Sequence, residues 1–193
     1  MPRTVGVIAV QGDFEKHAAA LSRCDPKLEV VGVRTPEELE GVERVILPGG
    51  ESTTVGLLME RYGLGAALQA AARGGMPVWG TCMGMILMAH EVVGRDQYTL
   101  DLLDISVERN AFGAQVHSFE DLVPIEGLDA PVLGVFIRAP IVTRCGEGVQ
   151  VLGRYDGKVV AVRQGLRLGT SFHPELTDDI RLHRYFLAMG QDA

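Results

Sequence analysis

In the first half of the chain, short runs rich in Val, Ile and Leu alternate with stretches of helical spacing. No other feature constrains the fold as tightly. Thr4 to Val10 is the first apolar run, closed by Gln11-Gly12. Asp13 then caps a helix through about Cys24, with Phe14, His17, Ala18 and Leu21 at its apolar positions. A second strand spans Leu28 to Val33. Thr35-Pro36-Glu37-Glu38 joins a Thr cap, Pro at the first helical position and an acidic residue three after the cap, so a short helix is predicted there. Val45-Ile46-Leu47 reads as a buried strand cut off by Pro48-Gly49-Gly50. Helical spacing resumes at Ser52, stutters at Tyr62-Gly63-Leu64-Gly65 and ends at Gly74-Gly75. Pro77 to Gly80 is another strand, and Met83 to Val93 another helix. Strands separated by helices of about ten residues predict right-handed βαβ units and a parallel sheet covered on both faces.

The second half changes character. Asp104 to Glu108, Val132 to Arg138, Val149 to Tyr155, Lys158 to Arg163 and Arg167 to Phe172 read as strands, and Asp156-Gly157 between two of them is a strong hairpin signal. A last amphipathic helix is placed from about Asp178 to Met189. With no internal repeat or low-complexity stretch, the expectation is a single domain over residues 1–193. Its architecture is a three-layer α/β/α sandwich on a mixed, largely parallel sheet. A chain of 193 residues buries roughly 70% of its unfolded surface, enough for a core without staples.

Charge and composition narrow the function. The 25 acidic residues against 18 basic ones give a net charge of −7, and no Lys/Arg cluster offers a nucleic-acid footprint. No apolar run approaches the ~20 residues of a membrane span. MPRTVGVIAV runs directly into a strand pattern and does not read as a signal peptide. Cys24, Cys82 and Cys145 are widely spaced and lack any CxxC, which argues against a disulfide framework or zinc site and for a reducing cytoplasm.

The sharpest local motif is Gly80-Thr81-Cys82-Met83-Gly84, at the junction of a strand and a helix. A nucleophile on so tight a turn needs small neighbours, as in the G-x-S-x-G elbow of hydrolases, and this is a cysteine version of it. The helix N-terminus favours negative charge on the sulfur, and its free N–H groups can bind an oxyanion. The plain alternative is a buried hydrophobe, and that is the expectation for Cys24 and Cys145. A cysteine nucleophile needs a base and the base an orienting acceptor. His17, His90 and His183 fall in helical patterns, where a satisfied surface or core role is the simpler reading. His117, in a loop-like stretch, has no local partner. His173 follows a strand and precedes Pro174-Glu175, so imidazole and carboxylate stand side by side where a parallel sheet binds ligands. Pro48-Gly49-Gly50-Glu51-Ser52-Thr53-Thr54 lies between strand and helix. Without a Lys before the Ser it is no P-loop, and its glycines suit an oxyanion donor opposite Cys82. No two histidines sit four apart, and Asp178-Asp179 reads as charge at a helix start, so no metal site is expected.

These residues resemble a known family. Gly80-Thr81-Cys82-x-Gly84 with His173-Pro174-Glu175 is similar to the class I (triad) glutamine amidotransferases. Gln11-Gly12, the PGGESTT segment, Glu108-Arg109-Asn110-x-Phe112-Gly113, Val135-Phe136-Ile137-Arg138-Ala139-Pro140 and Ser171 to Leu176 narrow the resemblance to the glutaminase subunits of pyridoxal 5′-phosphate synthases. The resemblance implies a Cys82–His173–Glu175 triad that hydrolyses L-glutamine. It also implies substrate contacts at Gly50, Glu51, Ser52, Arg109, Ile137 and Arg138. Oxyanion donors would lie at Gly49, Gly50 and Met83, and Gln11 near the partner interface. It implies no cofactor on this chain and a synthase subunit that receives the ammonia. Met83 departs from the small residue the family usually carries after the nucleophile, with consequences for glutamine access and ammonia exit. Two alternatives stand beside this reading. One is an amidotransferase subunit for another acceptor, against which the 108–113 and 136–140 segments argue. The other is a silent glutamine-binding regulatory module, against which the intact triad argues. A cysteine hydrolase of the α/β-hydrolase kind fits less well, since its acid does not usually follow two residues after the His.

Overall fold

The computed structural model describes residues 4–112 and 118–191, so Gly113 and His117 lie outside the described residues. The first half winds as β1 (Thr4–Ile8), α1 (Phe14–Cys24), β2 (Glu29–Val33), a 3-10 turn (Glu37–Leu39), β3 (Arg44–Leu47), α2 (Ser52–Arg61), α3 (Leu64–Arg73), β4 (Val78–Thr81) and α4 (Met83–Met88). There follow β5 (Ala89–Val92), β6 (Leu103–Glu108), β7 (Ser118–Val123), β8 (Val132–Ile137), β9 (Ile141–Cys145), β10 (Gln150–Tyr155), β11 (Lys158–Gln164), β12 (Arg167–Thr170), a second 3-10 turn (Pro174–Leu176) and α5 (Arg181–Ala188).

Among the described residues, ten strands share one sheet in the order β2-β1-β3-β4-β12-β11-β9-β6-β5, with β10 paired to β11. The block from β2 to β12 is parallel throughout. Beyond it β11 runs antiparallel to β12, so the mixed, largely parallel sheet anticipated from the sequence is present. One register decides where chemistry sits. Thr170 pairs with Thr81, so the chain leaves β4 at Cys82 and leaves β12 toward His173 side by side on the same edge.

Strand alternation sends side chains to two cores. Val45 and Leu47 face α2, α3 and α4 with Val55, Leu68 and Met85, whereas Ile46 and Trp79 face α1 and α5 with Leu21, Phe172 and Phe186. Each such side chain, fully buried, contributes about 1.5–3 kcal/mol before entropy is counted. The separate β7–β8 pair lies over the second core, where Phe119 stacks on Phe136 at 4.6 Å and Phe136 meets Phe172 at 5.4 Å. Buried Arg44 donates to the carbonyls of Phe186 (2.6 Å) and Met189 (3.3 Å), placing a cation at the end of α5.

Several local expectations need correction. The helix placed from Met83 to Val93 ends at Met88, because Ala89 turns extended and Leu100 and Leu102 donate to the last helical carbonyls at 2.6 and 2.9 Å. His90 therefore sits on β5, where its ring is 2.9 Å from Asp101. At Thr35 only a 3-10 turn forms. Thr35 accepts the Glu38 N–H at 3.4 Å, but the Glu38 carboxylate takes the N–H of Arg34 at 2.6 Å, so the reciprocal half of the box is shifted by one residue. Strands β5, β7 and β9 carry too few apolar residues to announce themselves. Asp13 caps α1 as anticipated, accepting from the Lys16 N–H. Asp156 and Gly157 both take the positive φ that a tight hairpin needs. No helix among the described residues is long and apolar enough to cross a membrane.

Candidate active site

Cys82 stands at the N-terminus of α4 with φ 49° and ψ −106°, an unfavourable conformation for a side-chain-bearing residue. It is held there from both sides. Its N–H donates to the Thr170 carbonyl of β12 at 2.8 Å, while its carbonyl accepts from Met85 and Ile86 in the first turn of α4. Glycines make the turn possible: a Cβ on Gly80 would strike the backbone of Gly84, and one on Gly84 would strike Leu47. The sequence pattern G-T-C-M-G is therefore a steric requirement for an elbow that projects sulfur over the sheet edge.

His173 is anchored by its N–H on the Val135 carbonyl at 2.8 Å, and its ring packs on Gly49 so closely that a Cβ there would overlap it. Its Nδ1–H donates to Glu175 Oε1 at 2.7 Å, and Cys82 lies near enough to act on its charge, the thiol itself donating to the Ile137 carbonyl at 3.8 Å. Burial pulls the imidazole pKa down. The neighbouring Cys82 and the hydrogen bond to Glu175 outweigh that effect and raise it to about 10. Glu175 is buried, which pushes its pKa up, but neighbouring His17 and the His173 hydrogen bond bring it below the ordinary value. A thiol, an imidazole and a carboxylate thus stand next to one another, an arrangement that nucleophilic catalysis could use.

A cleft opens beside the sulfur, lined by Gly50, Glu51, Ser52, Met83, Arg109, Asn110, Ile137 and Arg138. Gly50 adopts φ 153°, which favours glycine, and Gln11 Oε1 accepts the Glu51 N–H at 2.9 Å, tying the first β–α loop to the third. Glu51 caps α2. Its carboxylate accepts from the N–H groups of Thr54 (2.8 Å) and Thr53 (3.2 Å), which lowers its pKa to about 2 despite partial desolvation. Arg109 Nη2 lies 3.2 Å from Glu51, and its Nη1 reaches Gln97 (3.2 Å) and Thr53 (3.3 Å). A guanidinium and a carboxylate therefore face one small cleft, a pairing suited to a ligand bearing both charges. The Met83 side chain is buried in the first core and lies beside Gly50.

The residues singled out from sequence thus converge: Gly50, Glu51, Ser52, Cys82, Met83, Arg109, Ile137 and Arg138 share the cleft, with His173, Glu175, Gly49 and Gln11 against it. Sequence reading missed Gln97, which holds Arg109 and Ser52 from the loop after β5. Asn110, quoted only as part of the 108–113 segment, lines the cleft, where its φ of 55° turns the chain. His17 was read as a satisfied helical residue; it is fully buried behind Glu175, 3.5 Å from Oε2. A titratable residue on the apolar face of α1 was the available signal.

The elbow, the triad and the sheet edge they share define the triad-type glutamine amidotransferases. The chain belongs to the SNO glutamine amidotransferase family, whose model matches residues 7–191. It is 50% identical over 189 residues to a pyridoxal 5′-phosphate synthase subunit PdxT of Geobacillus kaustophilus, covering 98% of this chain and 95% of that one. A protein of the same name from Roseiflexus sp. is 54% identical over 191 residues, covering 96% and 100%. A crystal structure of a glutamine amidotransferase superposes with TM-score 0.90 at 50% identity over 96% of this chain and 97% of that one. PurLQS from Thermotoga maritima shares the fold, with TM-score 0.70 at 18% identity over 97% and 98%.

Proposed function

We propose that this chain is the glutaminase subunit of a pyridoxal 5′-phosphate synthase, hydrolysing L-glutamine to L-glutamate and ammonia and handing the ammonia to the synthase. The observation that carries this reading is the position of His173, hydrogen-bonded to Glu175 and neighbouring Cys82, whose side chain lines a cleft holding Arg109 and Glu51.

His173 takes the Cys82 thiol proton as the sulfur attacks the side-chain amide carbon, and the carbonyl π electrons move onto oxygen. Backbone N–H groups of the Gly49-Gly50 segment and of Met83 receive that oxyanion; one such donor is typically worth about 10²–10³ in rate. His173 gives its proton to the amide nitrogen as the C–N bond breaks, releasing ammonia and leaving a γ-glutamyl thioester. Water, deprotonated by His173, then attacks the thioester; glutamate leaves and the sulfur regains its starting state. Glu175 keeps the imidazole in the tautomer that presents Nε2 to sulfur. Arg109 and Arg138 hold the substrate α-carboxylate and Glu51 its ammonium group, with Ser52 and Ile137 closing the pocket.

Ammonia is useful only if it reaches the acceptor, which calls for a docked synthase; Gln11, exposed beside Glu51, links the oxyanion segment to that interface. The reading also places the protein in the cytoplasm, in keeping with three unpaired cysteines, one of them the nucleophile. Hydroxylamine offered with glutamine tests the covalent step. Capture of γ-glutamyl hydroxamate by the parent complex and not by Cys82→Ala is the predicted result; equal capture by both contradicts it.

A further inference from the structure

Behind the triad carboxylate lies a second pair of imidazoles. His17 of α1 and His183 of α5 are both fully buried. His17 Nε2 is 3.5 Å from Glu175 Oε2 and 3.4 Å from Thr81 Oγ1, and His17 Nδ1 is 3.2 Å from His183 Nε2. Trp79 packs edge-on against both rings. Among the described residues Glu175 Oε2 has no hydrogen-bond partner, His17 Nε2 at 3.5 Å being its ion-pair neighbour, and His183 Nδ1 has no partner either.

The tautomers follow from this geometry. Burial lowers the pKa of both histidines, His183 to about 3, so both are neutral and each carries one N–H. If His17 carried its proton on Nδ1, a lone pair would face the Glu175 carboxylate and His183 would be left with a buried, unpartnered N–H. With the proton on Nε2, His17 turns a donor toward Glu175 Oε2, and its Nδ1 accepts from His183 Nε2–H. Of the nitrogens on the two rings, the one left without a partner is then an acceptor lone pair at His183 Nδ1, while Thr81 Oγ1 and the otherwise unpartnered Glu175 Oε2 both lie near the His17 Nε2–H. Leaving a buried N–H unpaired is the costlier fault. Two polar rings in an apolar layer are also dearer than two apolar side chains would be, unless the carboxylate needs them.

We propose that His17, held in its Nε2–H tautomer by His183, is a positioning residue for the reaction. It acts on the Oε2 side of Glu175, so that Oε1 stays ionised and aimed at His173. The catalytic line then runs from Cys82 through His173 and Glu175 to His17 and His183, tying α1 and α5 to the chemistry. This inference rests on the triad assignment above.

Steady-state glutamine hydrolysis is measured for the chain in complex with its synthase, comparing the parent with H17L, H17Q, E175Q and the H17L/E175Q double variant. The expected result is a loss of about ten-fold or more in kcat for H17L with KM changed by less than about two-fold. H17Q, which offers an N–H near the Nε2 position, recovers most of that loss, and H17L adds less than about two-fold in the E175Q background. A full kcat in H17L alongside an impaired E175Q, or losses that multiply in the double variant, overturns the proposal and leaves the triad standing. A full kcat in E175Q overturns both. Should H17L not fold, imidazole ¹⁵N spectra of the unaltered protein decide: an Nε2–H tautomer at His17 supports the proposal, and an Nδ1–H tautomer overturns it.

Discussion

Gly49 and His173 are in such close contact that a single added β-carbon on the glycine would occupy the space of the imidazole ring. The first glycine of the PGGESTT segment therefore sets the position of the His173 ring, the general base proposed above, as well as the course of the chain. Gly49→Ala is predicted to push the ring away from Cys82 and lower kcat by about 10²-fold, the typical contribution of a placed acid–base group. Its thermal unfolding should move far less. Steady-state hydrolysis and a melting curve on the same preparation check this, and an active Gly49→Ala would contradict it.

The backbone at Cys82 yields a prediction about stability. A side chain at φ 49° and ψ −106° stores strain of about 1–3 kcal/mol, which glycine does not feel. Both Cys82→Ala and Cys82→Gly should be inactive. The Gly variant, however, should be the more stable of the two by about 1 kcal/mol, the reverse of the usual Ala-over-Gly order. Urea unfolding of the pair measures the difference; Ala above Gly would show that the elbow is unstrained.

Arg109 is predicted to act through binding. It reaches Glu51 at 3.2 Å across the cleft and is held by Gln97 and Thr53. A lost charge-assisted hydrogen bond is worth about 1.5–3 kcal/mol, so Arg109→Ala should raise KM for glutamine by roughly 10- to 100-fold. A fall in kcat at unchanged KM would place Arg109 in the chemical step instead.

The buried histidines make the fold acid-sensitive. His183 has a pKa of about 3 when folded, lowered mainly by burial, against an ordinary value of 6.5. Between those values the unfolded chain binds the extra proton, so stability is complete above pH 6.5 and falls as pH drops toward 3. The contribution is about 1.4 kcal/mol per pH unit within that window. His183→Gln, which keeps a neutral donor toward His17, should flatten the decline between pH 6 and 4. Urea midpoints across that range test it, and parallel slopes for parent and variant would contradict it.

Much of the parallel half was legible because its strands are buried on both faces and read as unbroken apolar runs, such as Val45-Ile46-Leu47. The elbow was legible because Gly80 and Gly84 have no steric substitute. Edge elements were not: β7 exposes Glu120, Asp121 and Leu122, and β9 exposes Thr143, Arg144 and Cys145, so neither carries a continuous apolar signal. Ala89 to Val92 continued a helical spacing until its pairing with β6 prevailed. Within the site, residues adjacent in sequence to the motifs were found, whereas Gln97 and His17 were not. Glu175 lies far along the chain from His17, and Gln97 meets Arg109 only because β6 runs between them, so only the closed fold brings each pair together.

The most direct test of the account is ammonia release from L-glutamine by the parent protein and by Cys82→Ala, each with and without the purified synthase subunit. The account predicts release by the parent in the complex and none by Cys82→Ala, although that variant still cosediments with the synthase. Undiminished release by Cys82→Ala, or none from a complex confirmed by sedimentation, would contradict it.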